Sequence, residues 1–230
     1  MRLVLFDIDG TLLWSDGAGR RAIHTALRAV FGTVGPTDYW FDGKTDPQIV
    51  RDLMRIEGFP DADIDARLPA LLERYVEHLH QELKRPGYSP RLLPGVPELL
   101  DHLEARDDVM LGLLTGNVEP GARAKLRAVG IDPARFVIGA FGSDHEHRPE
   151  LPGVAARRYI ERHGRELSGD RIIVVGDTPA DMKCGHAIGA RAIGVATGRY
   201  SVDQLREHDP IAVFPDLSDT VAVVAAIEHA

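Results

Sequence analysis

Two carboxylates one residue apart, Asp7 and Asp9, stand where a short apolar run ends, in Leu3-Val4-Leu5-Phe6-Asp7-Ile8-Asp9-Gly10-Thr11-Leu12. Four consecutive apolar residues read as a fully buried strand, and Gly10 gives the backbone a tight turn beyond it. Charge taken out of water at the tip of such a strand is costly unless it is paired or bound to a metal. The carboxyl ends of strands in an open α/β sheet are also where ligands bind. The pair therefore announces a chemical site.

Further loops reach the same sheet edge. Thr115-Gly116-Asn117 follows the apolar run Val109–Leu114 and offers a hydroxyl, a backbone N–H near a glycine and a carboxamide, all suited to the oxygens of an anion. Gly176-Asp177-Thr178-Pro179-Ala180-Asp181 follows Arg171–Val175, with one carboxylate at the strand end and a second just inside the next helix. Between them, Asp144-His145-Glu146-His147-Arg148-Pro149 can supply a fixed cation. Oxygen-only ligation with few protein carboxylates is what Mg²⁺ prefers, because it leaves positions for water and a substrate phosphate. A carboxylate nucleophile can split phosphoryl transfer into two steps, with the charge on the transferring oxygens neutralised by fixed partners.

The elements that must position these groups alternate. Helix patterns at Val96–Arg106, Glu119–Val129, Val154–His163, Ala180–Ile188 and Leu217–Glu228 interleave with strands at Val109–Leu114, Phe136–Ile138, Arg171–Val175, Arg191–Val195 and Ile211–Val213. Such alternation implies a parallel sheet covered on both faces, a doubly wound, Rossmann-like α/β core. Residues 17–88 break the rhythm: Arg20–Phe31, Pro47–Ile56 and Ile64–Leu83 are amphipathic helical patterns with no strand between them. Leu68, Leu71, Leu72, Tyr75, Val76 and Leu79 recur at helical spacing, the mark of core packing. The expected organisation is an α/β core of residues 1–15 and 90–230 with an all-helical module, 16–89, inserted after the first strand.

At 230 residues the chain suits a core domain carrying one inserted module. Its net charge of -8 speaks against a general nucleic-acid binder but permits an anionic substrate, since a metal can invert the field inside one cleft. Cys184 is the only cysteine, which excludes an internal disulfide and reads as a buried inert thiol. The N-terminal apolar run meets Asp7 too soon for a signal peptide, and no apolar stretch is long enough to span a bilayer. The expected location is cytoplasmic, with no membrane partner.

In its motifs the chain resembles the haloacid dehalogenase-like hydrolase superfamily, in the group with a helical cap after the first strand, of phosphoglycolate phosphatase and β-phosphoglucomutase type. Asp7-Ile8-Asp9-Gly10-Thr11-Leu12 fits the first motif, Thr115-Gly116-Asn117 the second, and Gly176–Asp181 the fourth. The resemblance covers nearly the whole chain and implies a Mg²⁺-dependent phosphatase acting on a small phosphorylated metabolite, as a monomer or homodimer. It makes Asp7 the nucleophile and Asp9 the general acid that then activates water, its carbonyl also ligating Mg²⁺. It makes Asp177 the other direct ligand, Asp181 a metal-proximal carboxylate, and Thr115 with the Gly116 and Asn117 backbone the phosphate holder. A metal would keep Asp7 ionised, whereas Asp9, pointing toward the leaving group, could hold a proton. The third motif usually carries a Lys before a Pro; this chain has none there. Arg148, before Pro149, takes that role, with Arg157 and Arg158 as alternatives in mid-helix.

Other residues have a sharp and a bland reading. Trp14 either lines the cleft or packs at the entry to the inserted module. Lys44, in the turn Gly43-Lys44-Thr45-Asp46, either reaches the leaving group or is an ordinary exposed lysine, with Arg20 and Arg21 as lesser candidates. His145 and His147 lack the further spaced ligands of a metal site, and His78 and His80 face different directions on a helix. A β-phosphoglucomutase-type phosphomutase would use the same loops. A dehalogenase or phosphonate hydrolase would lack the acid at Asp9, and a non-catalytic receiver module would leave Asp9, Thr115 and Asp181 unexplained together.

Overall fold

The computed structural model describes residues 1–230. Its centre is a six-stranded sheet built from β1 (Arg2–Phe6), β4 (Val109–Thr115), β5 (Ile138–Phe141), β6 (Ile172–Gly176), β7 (Arg191–Val195) and β8 (Ala212–Phe214). The spatial order is β5-β4-β1-β6-β7-β8, and every neighbouring pair is parallel. The chain therefore runs outward from β1 on one side and returns to fill the other. A crevice forms where the order reverses, beyond the carboxyl ends of the central strands.

Alternation along the strands sorts side chains onto two helical layers. Val4, Phe6, Leu111, Leu113, Ile173 and Val175 meet α4 (Val96–Glu104), α5 (Glu119–Ala128) and α9 (Thr220–Glu228). Leu3, Leu5, Ile172 and Val174 meet α6 (Leu151–His163) and Cys184, at the end of α7 (Pro179–Cys184). A short α8 (Val202–Arg206) covers the β7 end through Leu205.

Between β1 and β4 the chain builds a separate layer. A two-stranded antiparallel ladder, β2 (Leu13–Trp14) with β3 (Arg91–Leu92), ties the outgoing and returning segments together. Beyond it, α1 (Ala18–Phe31), α2 (Asp46–Ile56) and α3 (Asp61–Glu82) bury Ile23, Leu27, Val50, Leu53, Leu71 and Tyr75 in a core of their own. Val118, at the start of α5, also packs into that core. No helix is long and apolar enough to cross a membrane.

Some elements differ from the sequence expectation. Strand β5 runs over Ile138–Phe141 rather than Phe136–Ile138. A 3-10 turn over Pro133–Arg135 holds Phe136, whose N–H donates to the Pro133 carbonyl, and the ladder starts only after it. Gly139 and Ala140 lack the branched or aromatic side chains that mark a strand, so composition hides it. The helix expected over Ala180–Ile188 stops at Cys184 and gives way to a 3-10 turn over His186–Ile188. There Ala190 folds back so closely that a side chain at Gly185 would strike its Cβ. The ladder β2–β3 and α8 have no counterpart in that expectation, although Ser201 and Gln204 form a capping box at α8.

Candidate active site

Register sets the site. Phe6 lies opposite Leu113 on one side and Val175 on the other, so the residues after β1, β4 and β6 emerge together. The Asp7 N–H still donates to the Val175 carbonyl, at 2.9 Å, which fixes its side chain beside the loop carrying Asp177. Glycines let that loop close in: a Cβ at Gly10 or Gly198 would overlap the Asp177 carboxylate, and Thr11 donates to that carboxylate at 3.3 Å. Asp181 is fixed by a reciprocal cap, its carboxylate accepting the backbone N–H and hydroxyl of Thr178 at 3.0 and 2.7 Å.

The carboxylates of Asp7, Asp177 and Asp181 are buried, with oxygens within 4.8 Å of one another. Arg148, also buried, is the guanidinium facing them, in contact with Asp181 and 3.3 Å from Asp7. One cation does not balance three acids. Burial pushes Asp7 up to about 6 despite Arg148, and burial with repulsion from Asp181 and Asp7 drives Asp177 well above the usual carboxylate range. A cluster of hard oxygen donors short of positive charge, with no sulfur or imidazole in it, suits a divalent cation of the Mg²⁺ kind.

Asp9 faces elsewhere. One carboxylate oxygen accepts Ser15 Oγ at 2.8 Å; the other accepts Lys125 Nζ at 2.5 Å and Asn117 Nδ2 at 2.9 Å. Burial opposes ionisation, but Lys125 and these hydrogen bonds outweigh it and hold Asp9 below its ordinary value. Without substrate, this arrangement favours the carboxylate form of Asp9. Its side chain also stands apart from the acidic triad. Its backbone carbonyl accepts no hydrogen bond from the protein.

Thr115 is buried, and its Oγ1 accepts Asn117 Nδ2 at 2.8 Å. The Asn117 carboxamide is thus spent on Thr115, Asp9 and Lys125. The backbone N–H groups of Asp9 and Gly116 donate to no protein acceptor, and both residues line the cleft. Gly116 has a second duty. A Cβ there would run into the Lys44 carbonyl, because the segment Gly43–Asp46 lies on this loop and Asp46 N–H donates to the Gly116 carbonyl at 2.8 Å.

The cleft, about 450 Å³, is lined by these residues together with Trp14, Arg20, Phe41, Lys44 and Arg199. Trp14 is not packed in a core; its ring is 42% exposed at the cleft. The Lys44 ammonium is neither free nor aimed at the acidic triad: it donates to Asp52 at 2.9 Å and to the Tyr39 hydroxyl. Arg20 lies over the Phe41 ring, and Arg21 pairs with Glu82 at 2.5 Å. Arg158 pairs with Asp144 at 2.7 Å, and His145 and His147 are exposed.

Lys125 escaped the sequence reading. Its signal is its phase: on α5 it follows Gly121 by four residues and Ala122 by three, on the face that packs inward. A lysine in an apolar phase needs a buried partner, and Asp9 is that partner.

Comparison with known proteins extends the picture. A model of the family described as haloacid dehalogenase-like hydrolase matches residues 4–186. The chain is similar to a 5'-nucleotidase of Pseudomonas aeruginosa, 27% identical over 94% of this chain and 91% of that protein. It is also similar to a phosphoglycolate phosphatase of Rhodospirillum rubrum, 29% identical over 94% of this chain and 88% of its relative. Among solved structures, a hydrolase from Pseudomonas syringae shares the fold with a TM-score of 0.71, at 21% identity and 97% coverage of each chain.

Proposed function

Because the chain belongs to the haloacid dehalogenase-like hydrolase family, we propose that it is a Mg²⁺-dependent phosphatase that hydrolyses a small phosphomonoester through a phosphorylated Asp7. The observation that carries this reading is the buried Asp7, Asp177 and Asp181 triad, short of positive charge, at the floor of a cleft that also exposes unpaired backbone N–H groups. Similarity to phosphatases acting on a nucleotide and on phosphoglycolate supports the chemistry and leaves the leaving group open.

Asp7, Asp177 and the Asp9 carbonyl would hold the metal, with Asp181 beside it. Bound there, Mg²⁺ supplies charge neutralisation for the carboxylates and for the phosphoryl oxygens. Asp7 attacks phosphorus; the bond to the leaving oxygen breaks, and Asp9, having taken up a proton from water as the substrate phosphate binds, delivers it to that oxygen. The incoming phosphate raises the proton affinity of Asp9, countering Lys125. Asp9, now a carboxylate, takes a proton from water as that water attacks the phosphoryl group, restoring Asp7 and releasing phosphate. Arg148 anchors Asp7 and Asp181, while Thr115 and the Gly116 N–H hold phosphoryl oxygens. The helical unit acts as a cap that excludes bulk water, and Trp14 lines the space for the leaving group.

The test is phosphate release from a panel of nucleoside, sugar and two- and three-carbon phosphates, with Mg²⁺ and with a chelator. Metal-dependent release that Asp7→Asn abolishes is the expected result. No release from any member, or full release by the variant, overturns the reading. Phosphate delivered to a second hydroxyl of the sugar, in place of water, would identify a mutase instead.

A further inference from the structure

Lys125 and Arg148 are the buried cations of this molecule, and the reaction above assigns a task only to Arg148. Burying an ammonium is costly, and packing alone is as well served by an apolar side chain of similar size. The Asp9 side chain, 37% exposed at the cleft, keeps a face open to substrate while it is paired. The explanation lies in what Lys125 fixes. Its ammonium donates to Asp9 and, at 2.5 Å, to Asn117 Oδ1. That contact sets the direction of the Asn117 amide, whose nitrogen then reaches Asp9 and Thr115.

The inserted unit supplies the surroundings of this ammonium from all three of its helices. On α1, Gly19 comes so near that a Cβ there would sit 3.2 Å from Nζ. On α2, Asp46 is buried and feels the charge of Lys125, while its carboxylate accepts the Val118 N–H at 2.8 Å. On α3, the buried Tyr75 hydroxyl lies near the same Gly19 position.

We propose that Lys125 is a positioning residue for Asp9, and that the inserted helical unit holds Lys125 in place through Gly19, Asp46 and Tyr75. This rests on the phosphatase reading, in which Asp9 serves both proton transfers. Its consequence is that seating of the unit and proton-transfer competence are linked through one side chain.

The test compares two leaving groups on Lys125→Met. For an alkyl phosphate that the unaltered enzyme hydrolyses, kcat should fall about 100-fold, as expected when general acid–base help is lost. For para-nitrophenyl phosphate, whose leaving group needs no proton, the stoichiometric burst of nitrophenolate should stay within about threefold in rate while later turnover slows. Lys125→Arg should recover part of the loss. An equal loss in burst and turnover, or no loss at all, overturns the proposal. Should Lys125→Met fail to fold, Gly19→Ala presses on the ammonium from the unit's side and should give the same pattern, about tenfold in size; its absence counts equally against the proposal. A crystal structure of Lys125→Met, or of Lys125→Arg if the former does not fold, decides independently of activity. Asp9 should leave its Ser15 and Asn117 contacts, and an unmoved Asp9 overturns the positioning role even if no substrate is found. Absence of all metal-dependent phosphate release in the unaltered enzyme would count against the phosphatase reading alone.

Discussion

Asp7 shows how burial and charge compete at one side chain. Burial is the largest influence, Arg148 opposes it, and Asp181 and Asp9 add repulsion, leaving the carboxyl raised from its ordinary 3.8 to about 6. A folded-state value above the unfolded one means stability that is fully present below about pH 4 and lost as pH rises through about 6. In metal-free protein, Asp7→Asn should therefore stabilise the fold at about pH 7.5 by an amount on the order of 3 kcal/mol, seen as a higher melting temperature, and change little near about pH 4. Calorimetry in a chelator checks this; an equal gain at both pH values would refute it. Cys184 offers a second check, since burial pushes its thiol up to about 12. Ellman's reagent should find no reactive thiol in the folded protein and one after unfolding. Asp7 and Asp177 were legible in the sequence because acids at the ends of apolar runs have few structural uses, and Arg148 because it precedes a proline where the family resemblance expects a basic residue. The pairing of Lys44 was not legible because its partner Asp52 lies eight residues on, beyond the reach of short-range pairing rules.

At the scale of elements, the segment Gly43–Asp46 and the loop Thr115–Asn117 are built as one. Thr45 caps α2 through Gln48 and also donates to the Glu146 carbonyl at 2.6 Å, so the start of one helix is fastened to two core loops. Gly116→Ala should push this segment away. A loss on the order of 1–3 kcal/mol in urea unfolding is expected, from overpacking against the Lys44 carbonyl, together with a raised KM. An unchanged unfolding midpoint and KM would show that the two segments are not coupled. The order of strands and helices was readable because apolar runs and amphipathic patterns alternate. The close approach at Gly116 was not, since it depends on residues about seventy positions away in the chain. The displaced β5 makes the same point: its limits follow from its ladder with β4, in which Gly112 meets Ile138, rather than from local propensity.

For the whole molecule, the acidic cluster sets a demand that the protein alone does not meet. The chain carries a net charge of -8, and three of its carboxylates crowd one buried point. Binding Mg²⁺ should stabilise the fold by roughly 2.7 kcal/mol at about a hundred times its dissociation constant, a rise in melting temperature of about 5–10 °C for a chain of this length. Asp177→Asn should abolish most of that rise without lowering the metal-free melting temperature. A rise preserved in the variant would place the ion elsewhere.

The two-stranded ladder of Leu13–Trp14 with Arg91–Leu92 brings the ends of the inserted segment side by side. Both crossings lie next to the end of β1, and the strands of the main sheet draw no hydrogen bond of their ladders from the segment between them. Closing a longer or shorter segment across such neighbouring ends changes the chain entropy only slowly with length. Exchange of the material between residues 15 and 90 would therefore leave the strand pairing that assembles the acids intact, but would also have to rebuild the contacts around Lys125 and Gly116. In this architecture the acidic cluster and the setting of Asp9 are inherited through different parts of the chain.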